Sequence, residues 1–226
     1  MISLSARLSA AADLIGGGAV ADIGTDHAFL PVYLFQSGRA RRVIACDIGE
    51  KPLENAKKTL EQYGLGEPQI TLRISDGLSA VSPEEADTIS ICGMGGTLIA
   101  RILTDAPWIC RERMHLVLQP NSHAEDVRAF LFGGGFILEK EFCVTDARRL
   151  YCCMSARFAG APPDDDPGRI WFGTLLSGGE AERYYAERVF RHIKTRADAI
   201  RAVSRNPGEE AVLRRAIEYY ERCVNR

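Results

Sequence analysis

Short apolar runs recur through the first 121 residues, and each is followed by a turn or by a segment with helical spacing. Runs of this length that are bounded by glycine or charged residues are typical of buried strands. Strands that alternate with helices predict an open parallel sheet covered by helices on both faces. The predicted strands are 19–23, 42–47, 70–77, 88–96 and 115–121, and the predicted helices are 4–15, 27–38, 52–64, 97–105 and 123–135.

The pattern changes after residue 135. Segments 136–146 and 148–160 both have strand character and are separated by a short turn, which predicts an antiparallel hairpin. A Rossmann dehydrogenase would repeat the βαβ unit here, whereas a terminal hairpin is typical of the methyltransferase variant. We therefore predict an α/β fold, a Rossmann-like class I methyltransferase sheet that is parallel and ends in an antiparallel hairpin.

The last third of the chain has a different organisation. Segment 160–168, "GAPPDDDPG", predicts an extended and exposed linker. Apolar residues then recur at helical spacing over 189–200 and 213–224, with a turn at 204–208, which predicts a C-terminal antiparallel helical hairpin. The expected division is a methyltransferase domain at 1–160 and a linker with the helical hairpin at 161–226.

Composition and charge limit the class of protein to which this chain can belong and the compartment in which we expect it. Hydrophobic residues make up 46% of the sequence, enough for a substantial core, and no run of about 18 apolar residues suggests a membrane span. Seven scattered cysteines without a C-x-x-C pair predict reduced, buried thiols and no metal site. We expect a cytoplasmic monomer. Acidic residues outnumber basic ones by three in 1–160, and the reverse holds in 180–226, so positive charge is concentrated in the C-terminal helices.

Candidate ligand-binding residues follow four successive predicted strands. In open α/β sheets ligands lie beyond the carboxyl ends of the strands, where this chain has Gly24, Asp47, Asp76 and the glycines 93–96. Asp47 comes 23 residues after Gly24, close to the spacing at which an acidic residue binds ribose hydroxyls. This arrangement predicts a cofactor that contains adenosine. NAD and S-adenosylmethionine (SAM) both contain it.

Asp26 distinguishes the two cofactors. A pyrophosphate needs open backbone N–H groups at a helix N-terminus, and a carboxylate in that turn repels it. SAM has no phosphate and carries a sulfonium and an amino group, both of which a nearby carboxylate favours. Alternatively, Asp26 caps the helix that follows, and the two roles are compatible.

Four motifs together resemble one bacterial family, the tRNA (adenine-22-N1)-methyltransferases: "LSARL" (4–8), "ADIGTDHAFLP" (21–31), "CGMGGTLI" (92–99) and "LQPN" (118–121). The resemblance covers about residues 2–160 well and the helical tail loosely. It implies a SAM-dependent enzyme that methylates N1 of an adenine in the D arm of tRNA, with C-terminal helices that help to hold the tRNA.

The candidate residues fall into three groups. The cofactor would be bound by Asp22, Gly24, Asp26, Asp47, Ile48, Asp76, Gly77, Gly93 and Met94. The catalytic candidates are Asp26, His27 and Asn121, although His27 is equally compatible with a structural role. The tRNA would contact Gly95, Gly96, Gln119, Pro120 and Asn121 near the base, and Arg188, Arg191 and Lys194 on the helices. Arg7 is a candidate for contact with a tRNA phosphate, and the SAM carboxylate is the alternative partner for it.

Other functions remain open at the level of sequence. The acceptor of the methyl group is another RNA or a small molecule in one alternative. A nicotinamide-dependent oxidoreductase is a second alternative, disfavoured by Asp26 and by the missing glycines. A non-catalytic RNA-binding protein is the third, and Asp26, Asp47 and Asp76 argue against it.

Overall fold

The computed structural model describes residues 1–203 and 206–225. Seven strands form one sheet in the order β3-β2-β1-β4-β5-β7-β6. Their bounds are β1 Ala19–Ile23, β2 Arg42–Asp47, β3 Ile70–Ile74, β4 Thr88–Cys92, β5 His115–Gln119, β6 Phe136–Asp146 and β7 Arg149–Phe158. Strands β1 to β5 are parallel, and β7 is antiparallel to both of its neighbours. The predicted parallel sheet with a terminal antiparallel hairpin is confirmed.

Helices cover both faces of this sheet. Their bounds are α1 Ala6–Asp13, α2 Phe29–Gln36, α3 Glu50–Gln62, α4 Gly96–Thr104, α5 Ala124–Gly133, α6 Pro167–Phe172, α7 Glu180–Val203 and α8 Pro207–Val224. Alternate residues of β2 point to opposite faces: Val43 belongs to the apolar cluster under α1 to α3, and Ile44 to the cluster under α4, α5 and the C-terminal helices. Burial on both faces explains why the strands are continuous apolar runs.

Four strands end earlier than predicted: β3 at Ile74, β4 at Cys92, β5 at Gln119 and β7 at Phe158. For β4 the cause is Gly93, which follows directly and has a φ of +82° that cannot continue a strand. No helix was predicted between the third and fourth strands, and the structure agrees with this. Between β3 and β4 the described chain has only a single 3₁₀ turn, Pro83–Glu85.

The C-terminal helices form the predicted antiparallel hairpin. The Phe190 ring of α7 stacks on the Tyr220 ring of α8 with centroids 4.3 Å apart, and further along α7 Asp198 accepts a hydrogen bond from Arg214 of α8 at 2.7 Å. Residue numbers thus increase along α7 while those of their partners on α8 decrease, as in an antiparallel pair. Of the predicted turn 204–208, residues 204 and 205 lie outside the described residues, and α8 begins at Pro207 behind the capping side chain of Asn206.

The linker differs from its prediction at its end. Pro167 and Gly168 are buried in α6, because α6 packs so tightly on α8 that a Cβ on Gly168 would lie 2.0 Å from the Tyr219 ring. Phe172 of α6 and Leu213 of α8 belong to the same apolar cluster as Leu131 of α5. The C-terminal helices therefore share the core of the sheet, and the division at residue 160 stays a prediction.

Within the described ranges, no helix is both long enough and apolar enough to cross a membrane.

The thiols were predicted to be buried, and this is wrong for two of them. All seven cysteines are free, but Cys110 and Cys223 are exposed on the surface. Elsewhere burial raises the pKa of the Cys46 and Cys153 thiols to about 12. In residues 1–203 and 206–225 no cluster of three or more side chains is suited to bind a metal ion.

Candidate active site

A cavity of about 570 Å³ opens at the carboxyl edge of the sheet, beyond β1 and β4. This volume is in the range of small-molecule sites. Eight of the predicted residues line it: Arg7, Asp22, Gly24, Asp26, His27, Asp47, Gly93 and Met94. Just over half of the fifteen residues that line this cavity were therefore among the predicted ones.

The turn after β1 is folded back onto the end of β2. The N–H groups of Gly24 and Thr25 both donate to the Cys46 carbonyl at 2.9 Å, and Gly24 has a φ of +78°. Asp47 holds the two loops together, because one of its carboxylate oxygens accepts from the Gly49 N–H at 3.1 Å and the other from the Asp26 N–H at 3.3 Å. A dinucleotide-binding turn has its second glycine at the position where this chain has Asp26. Here the backbone N–H of Asp26 is instead bonded to the Asp47 carboxylate.

Asp26 points its carboxylate into open space at the cavity wall. Its side chain is 66% exposed, and its contact is His27, whose Nε2 lies 3.7 Å from Asp26 Oδ1. Helix α2 begins behind Ala28 without any side-chain cap, so the alternative role of Asp26 as a helix cap is wrong. The carboxylate is left free to face a ligand.

A second carboxylate lies deeper in the same cavity. Asp22 is 4% exposed, and its burial, reinforced by the charge of Asp47, raises its pKa to about 6. A cationic ligand group at this point would stabilise the Asp22 carboxylate. The cavity therefore fits a cofactor that carries positive charge, as SAM does, and does not fit a diphosphate.

Arg7 reaches this cavity from α1 and is held by long-range contacts. Its Nη1 donates to Gln119 Oε1 at 3.1 Å and to Asn121 Oδ1 at 3.4 Å, and its Nε lies 3.5 Å from Asp146 Oδ2. The guanidinium also lies 5.7 Å from the centre of the Tyr151 ring. Arg7 therefore ties the end of β5 and the tip of the β6–β7 hairpin to the cavity wall.

The loops after β4 and β5 are fastened to each other. Asn121 is exposed, and its Nδ2 donates to the Gly93 carbonyl at 2.5 Å. Gln119 and Pro120 are buried, so Asn121 is the member of this predicted trio that reaches the rim. Gly95 pairs with Ser122 as an isolated parallel bridge.

Gly96 has a packing reason to be glycine. It is buried, and a Cβ at this position would lie 1.9 Å from the His123 carbonyl oxygen. No side chain fits there without moving the backbone.

Other predicted residues lie outside the cavity. Asp76 and Gly77 line a neighbouring cavity of about 710 Å³ with Arg101 and Trp108, and Ile48 is 68% exposed and lines neither cavity. The sequence placed them with the cofactor because their strands end at the same edge of the sheet, and this assignment stays a prediction.

The predicted cations of α7 lie on its exposed surface. Arg191 is 3.7 Å from Glu187, and the Lys194 Nζ lies 5.6 Å from the centre of the Phe190 ring. Arg188 lines a separate groove near the tip of the β6–β7 hairpin.

Several cavity residues were missed by sequence reasoning: Ser3, Ser5, Leu8, Thr25, Phe29, Leu30 and Cys92. Phe29 is 42% exposed and stacks on His27 with ring centroids 5.2 Å apart. An aromatic two residues after His27 was a usable signal, whereas the short segment before α1 has no pattern that marks it as a cavity wall.

Comparison with known proteins identifies this kind of site. Residues 4–154 match the model of a family described as a methyltransferase domain. The sheet and the acidic cavity, together with this match, define a Rossmann-like methyltransferase. A curated relative, the tRNA (adenine(22)-N(1))-methyltransferase of Bacillus subtilis, is 40% identical over 179 residues, which cover 79% of this chain and 72% of the relative. The chain belongs to the bacterial tRNA (adenine(22)-N(1))-methyltransferase family.

Solved structures agree over the full length. The crystal structure of the B. subtilis m1A22 tRNA methyltransferase TrmK is 28% identical and has a TM-score of 0.85, with 99% of this chain and 100% of that chain covered. A putative tRNA (m1A22) methyltransferase of Streptococcus pneumoniae, solved in complex with S-adenosyl-L-methionine, is 27% identical with a TM-score of 0.79 and the same coverage. The family, fold class, enzyme class and methyl donor predicted from the sequence are confirmed.

Proposed function

We propose that the acidic cavity binds SAM and that the chain methylates N1 of adenine 22 in tRNA at its rim. The observation that carries this assignment is the pair of carboxylates, buried Asp22 and exposed Asp26, in a cavity at the end of β1. Membership of the family supports the reaction, and the residue roles below are our proposals.

The reaction makes modest chemical demands on the protein. N1 of adenine has an in-plane lone pair and no hydrogen, so it attacks without a general base. Bound SAM supplies an electrophilic methyl group. The protein must orient the reactants, which is worth up to about 7–11 kcal/mol in favourable cases, and provide negative potential where the product becomes cationic. The free carboxylate of Asp26 is suited to the second task.

His27 and Phe29 form the proposed platform for the target base. Their stacked rings lie at the cavity wall beside Asp26, and both are partly exposed. N1 is occupied by pairing or tertiary contacts in folded RNA, so the adenine has to be turned out before it can react. An exposed aromatic pair gives the extruded base a surface to stack on.

The remaining rim residues have supporting roles. Asn121 holds the Gly93 carbonyl and the Arg7 guanidinium, and its exposed amide is our third candidate for contact with the reacting groups. Arg188, Arg191 and Lys194 remain candidates for contact with tRNA phosphates. We propose a methyltransferase unit at 1–160 and a tRNA-holding unit at 161–226. The proposed working form is a monomer that acts where its tRNA substrate is, in the cytoplasm.

The test measures methyl transfer to tRNA and identifies the atom that receives the methyl group. The protein is incubated with methyl-labelled SAM and unmodified tRNA, and the labelled atom is identified. Label on N1 of adenine 22 is expected. Label on another atom, or none on tRNA while a small-molecule acceptor is labelled, contradicts the proposal.

Asp26→Asn tests the role of the carboxylate. Because the amide keeps the shape and removes the charge, we expect SAM affinity to stay within about tenfold while most turnover is lost. Asp165→Asn is the matched control, since Asp165 is exposed in the linker far from β1 in sequence. Equal turnover of the Asp26 and Asp165 variants would remove Asp26 from the mechanism.

A further inference from the structure

The β6–β7 hairpin rises beyond the carboxyl edge of the sheet. The last paired residues of β5 and β7 are Leu118 and Met154, whereas β7 begins at Arg149. Five residues of extended chain correspond to about 17 Å. The tip of the hairpin therefore projects from the edge that carries the SAM cavity.

Helix α7 starts against this projecting hairpin. Glu182, in its first turn, accepts a hydrogen bond from the Cys143 N–H of β6 at 2.8 Å. Between the two elements lies a groove of about 540 Å³, which we name the tip groove after its main residues Arg148, Arg149, Tyr184 and Arg188.

The tip groove collects unpaired positive charge. Arg148, Arg149 and Arg188 have no ion pair or side-chain hydrogen bond within residues 1–203 and 206–225, and Glu180 is the one carboxylate among the residues that line the groove. Tyr184 lies among them with 54% of its surface exposed. Guanidinium groups bind phosphate through paired hydrogen bonds, and an exposed aromatic ring stacks on a base.

The turn that presents Arg148 is unusual for its residues. Ala147 and Arg148 have φ of +45° and +64°, the pattern of a type I′ hairpin turn, which favours Asn-Gly. Local backbone preference therefore does not explain an arginine at this position.

The tip groove is also joined to the active site. Asp146 and Tyr151, on either side of the turn, both contact Arg7, which lines the SAM cavity. An RNA strand lying in the groove would thus pass along the rim at which the target adenine has to enter.

We propose that the tip groove binds the phosphodiester backbone next to the target adenine, with Tyr184 against a neighbouring base. This proposal rests on the proposed function, because it assumes that the substrate is tRNA. In this proposal the hairpin tip and the start of α7 form a clamp that holds the RNA strand between them. SAM binding does not depend on this clamp.

The main test is the double variant Arg149→Ala/Arg188→Ala. Binding of unmodified tRNA is measured over a series of salt concentrations, alongside SAM binding by calorimetry and methyl transfer. The control is Lys57→Ala/Lys58→Ala, which removes the same charge from exposed positions of α3, outside the proposed tRNA-holding unit. Each phosphate contact contributes about 0.7–0.9 to the slope of log K against log salt, so the groove variant should lower that slope by about 1.5 relative to the control.

The expected pattern is a higher KM for tRNA, an unchanged kcat at saturating tRNA and an unchanged SAM affinity. Equal tRNA affinity and salt slope in the groove variant and the control would overturn the clamp, even if tRNA is methylated normally. Absence of methylation by the unaltered protein would instead refute the proposed function.

Arg148→Gly gives a second, independent readout. Glycine adopts the positive φ without strain, so this variant should melt at the same or a higher temperature than the parent while its tRNA affinity falls. Unchanged tRNA affinity in this folded variant contradicts a role for Arg148 in the clamp.

Discussion

A buried ion pair between α5 and β6 fastens the C-terminal helices to the sheet. The side chains of Arg128 on α5 and Glu141 on β6 are 1% and 0% exposed, and Arg128 Nε donates to Glu141 Oε1 at 2.7 Å. Arg128 Nη1 also donates to the carbonyls of Ile170 and Trp171 in α6, at 3.1 and 3.0 Å. Glu141 in turn accepts from the Thr174 N–H at 2.7 Å.

Arg128→Met keeps the volume of the side chain but leaves Glu141 as an uncompensated buried charge. Breaking one side of such a pair costs about 3–5 kcal/mol, whereas replacing both partners is often close to neutral. For a chain of this length 1 kcal/mol corresponds to about 2–4 °C, so the melting temperature should fall by about 10 °C. The double variant Arg128→Met/Glu141→Gln should recover about 2 kcal/mol or more of that loss.

The assay is denaturant unfolding followed by both far-UV circular dichroism and tryptophan fluorescence. Arg157→Met is the control, because Arg157 is 46% exposed and its pairing with Glu139 at 3.0 Å is worth less than about 1 kcal/mol. A loss in Arg128→Met no larger than in this control would refute the reasoning. So would a double variant less stable than Arg128→Met alone.

Three further predictions follow from single sites. Burial raises the Asp22 pKa from 3.8 to about 6, so the stability that this group contributes is present below pH 4 and is lost as the pH rises through 6, by about 3 kcal/mol in total. The Asp22→Asn variant should therefore show a weaker dependence of the unfolding free energy on pH between pH 4 and pH 6. An unchanged dependence would exclude Asp22 as its source. Gly96→Ala should destabilise the fold by about 1–3 kcal/mol and weaken SAM binding, because the new Cβ meets a carbonyl oxygen at 1.9 Å; unaltered denaturation and SAM titration would contradict that contact. In the native protein a maleimide should label the exposed Cys110 and Cys223 before any other thiol, as read by peptide mass spectrometry, and early labelling of Cys46 would contradict its burial.

The sequence by itself determined the order of the sheet elements and which strands are followed by candidate site residues at their carboxyl ends. Strand β1 and the turn through Gly24 to Asp26 could be predicted because apolar periodicity and turn chemistry are local properties of the chain. The carboxyl ends of parallel strands meet at one edge, so Asp22, Asp26 and Asp47 could be placed together from their positions alone. The choice of a cationic cofactor followed from the charge of Asp26.

Only the tertiary structure decided which side chains meet across long stretches of chain. The contact of Arg7 with Asp146 and the burial of Arg128 against Glu141 both depend on strand register and helix packing. The tip groove depends in addition on how far β7 extends past β5 and on where α7 begins. These features come from the summed packing of the whole core, which no local pattern encodes, and so they were accessible only once the chain was folded.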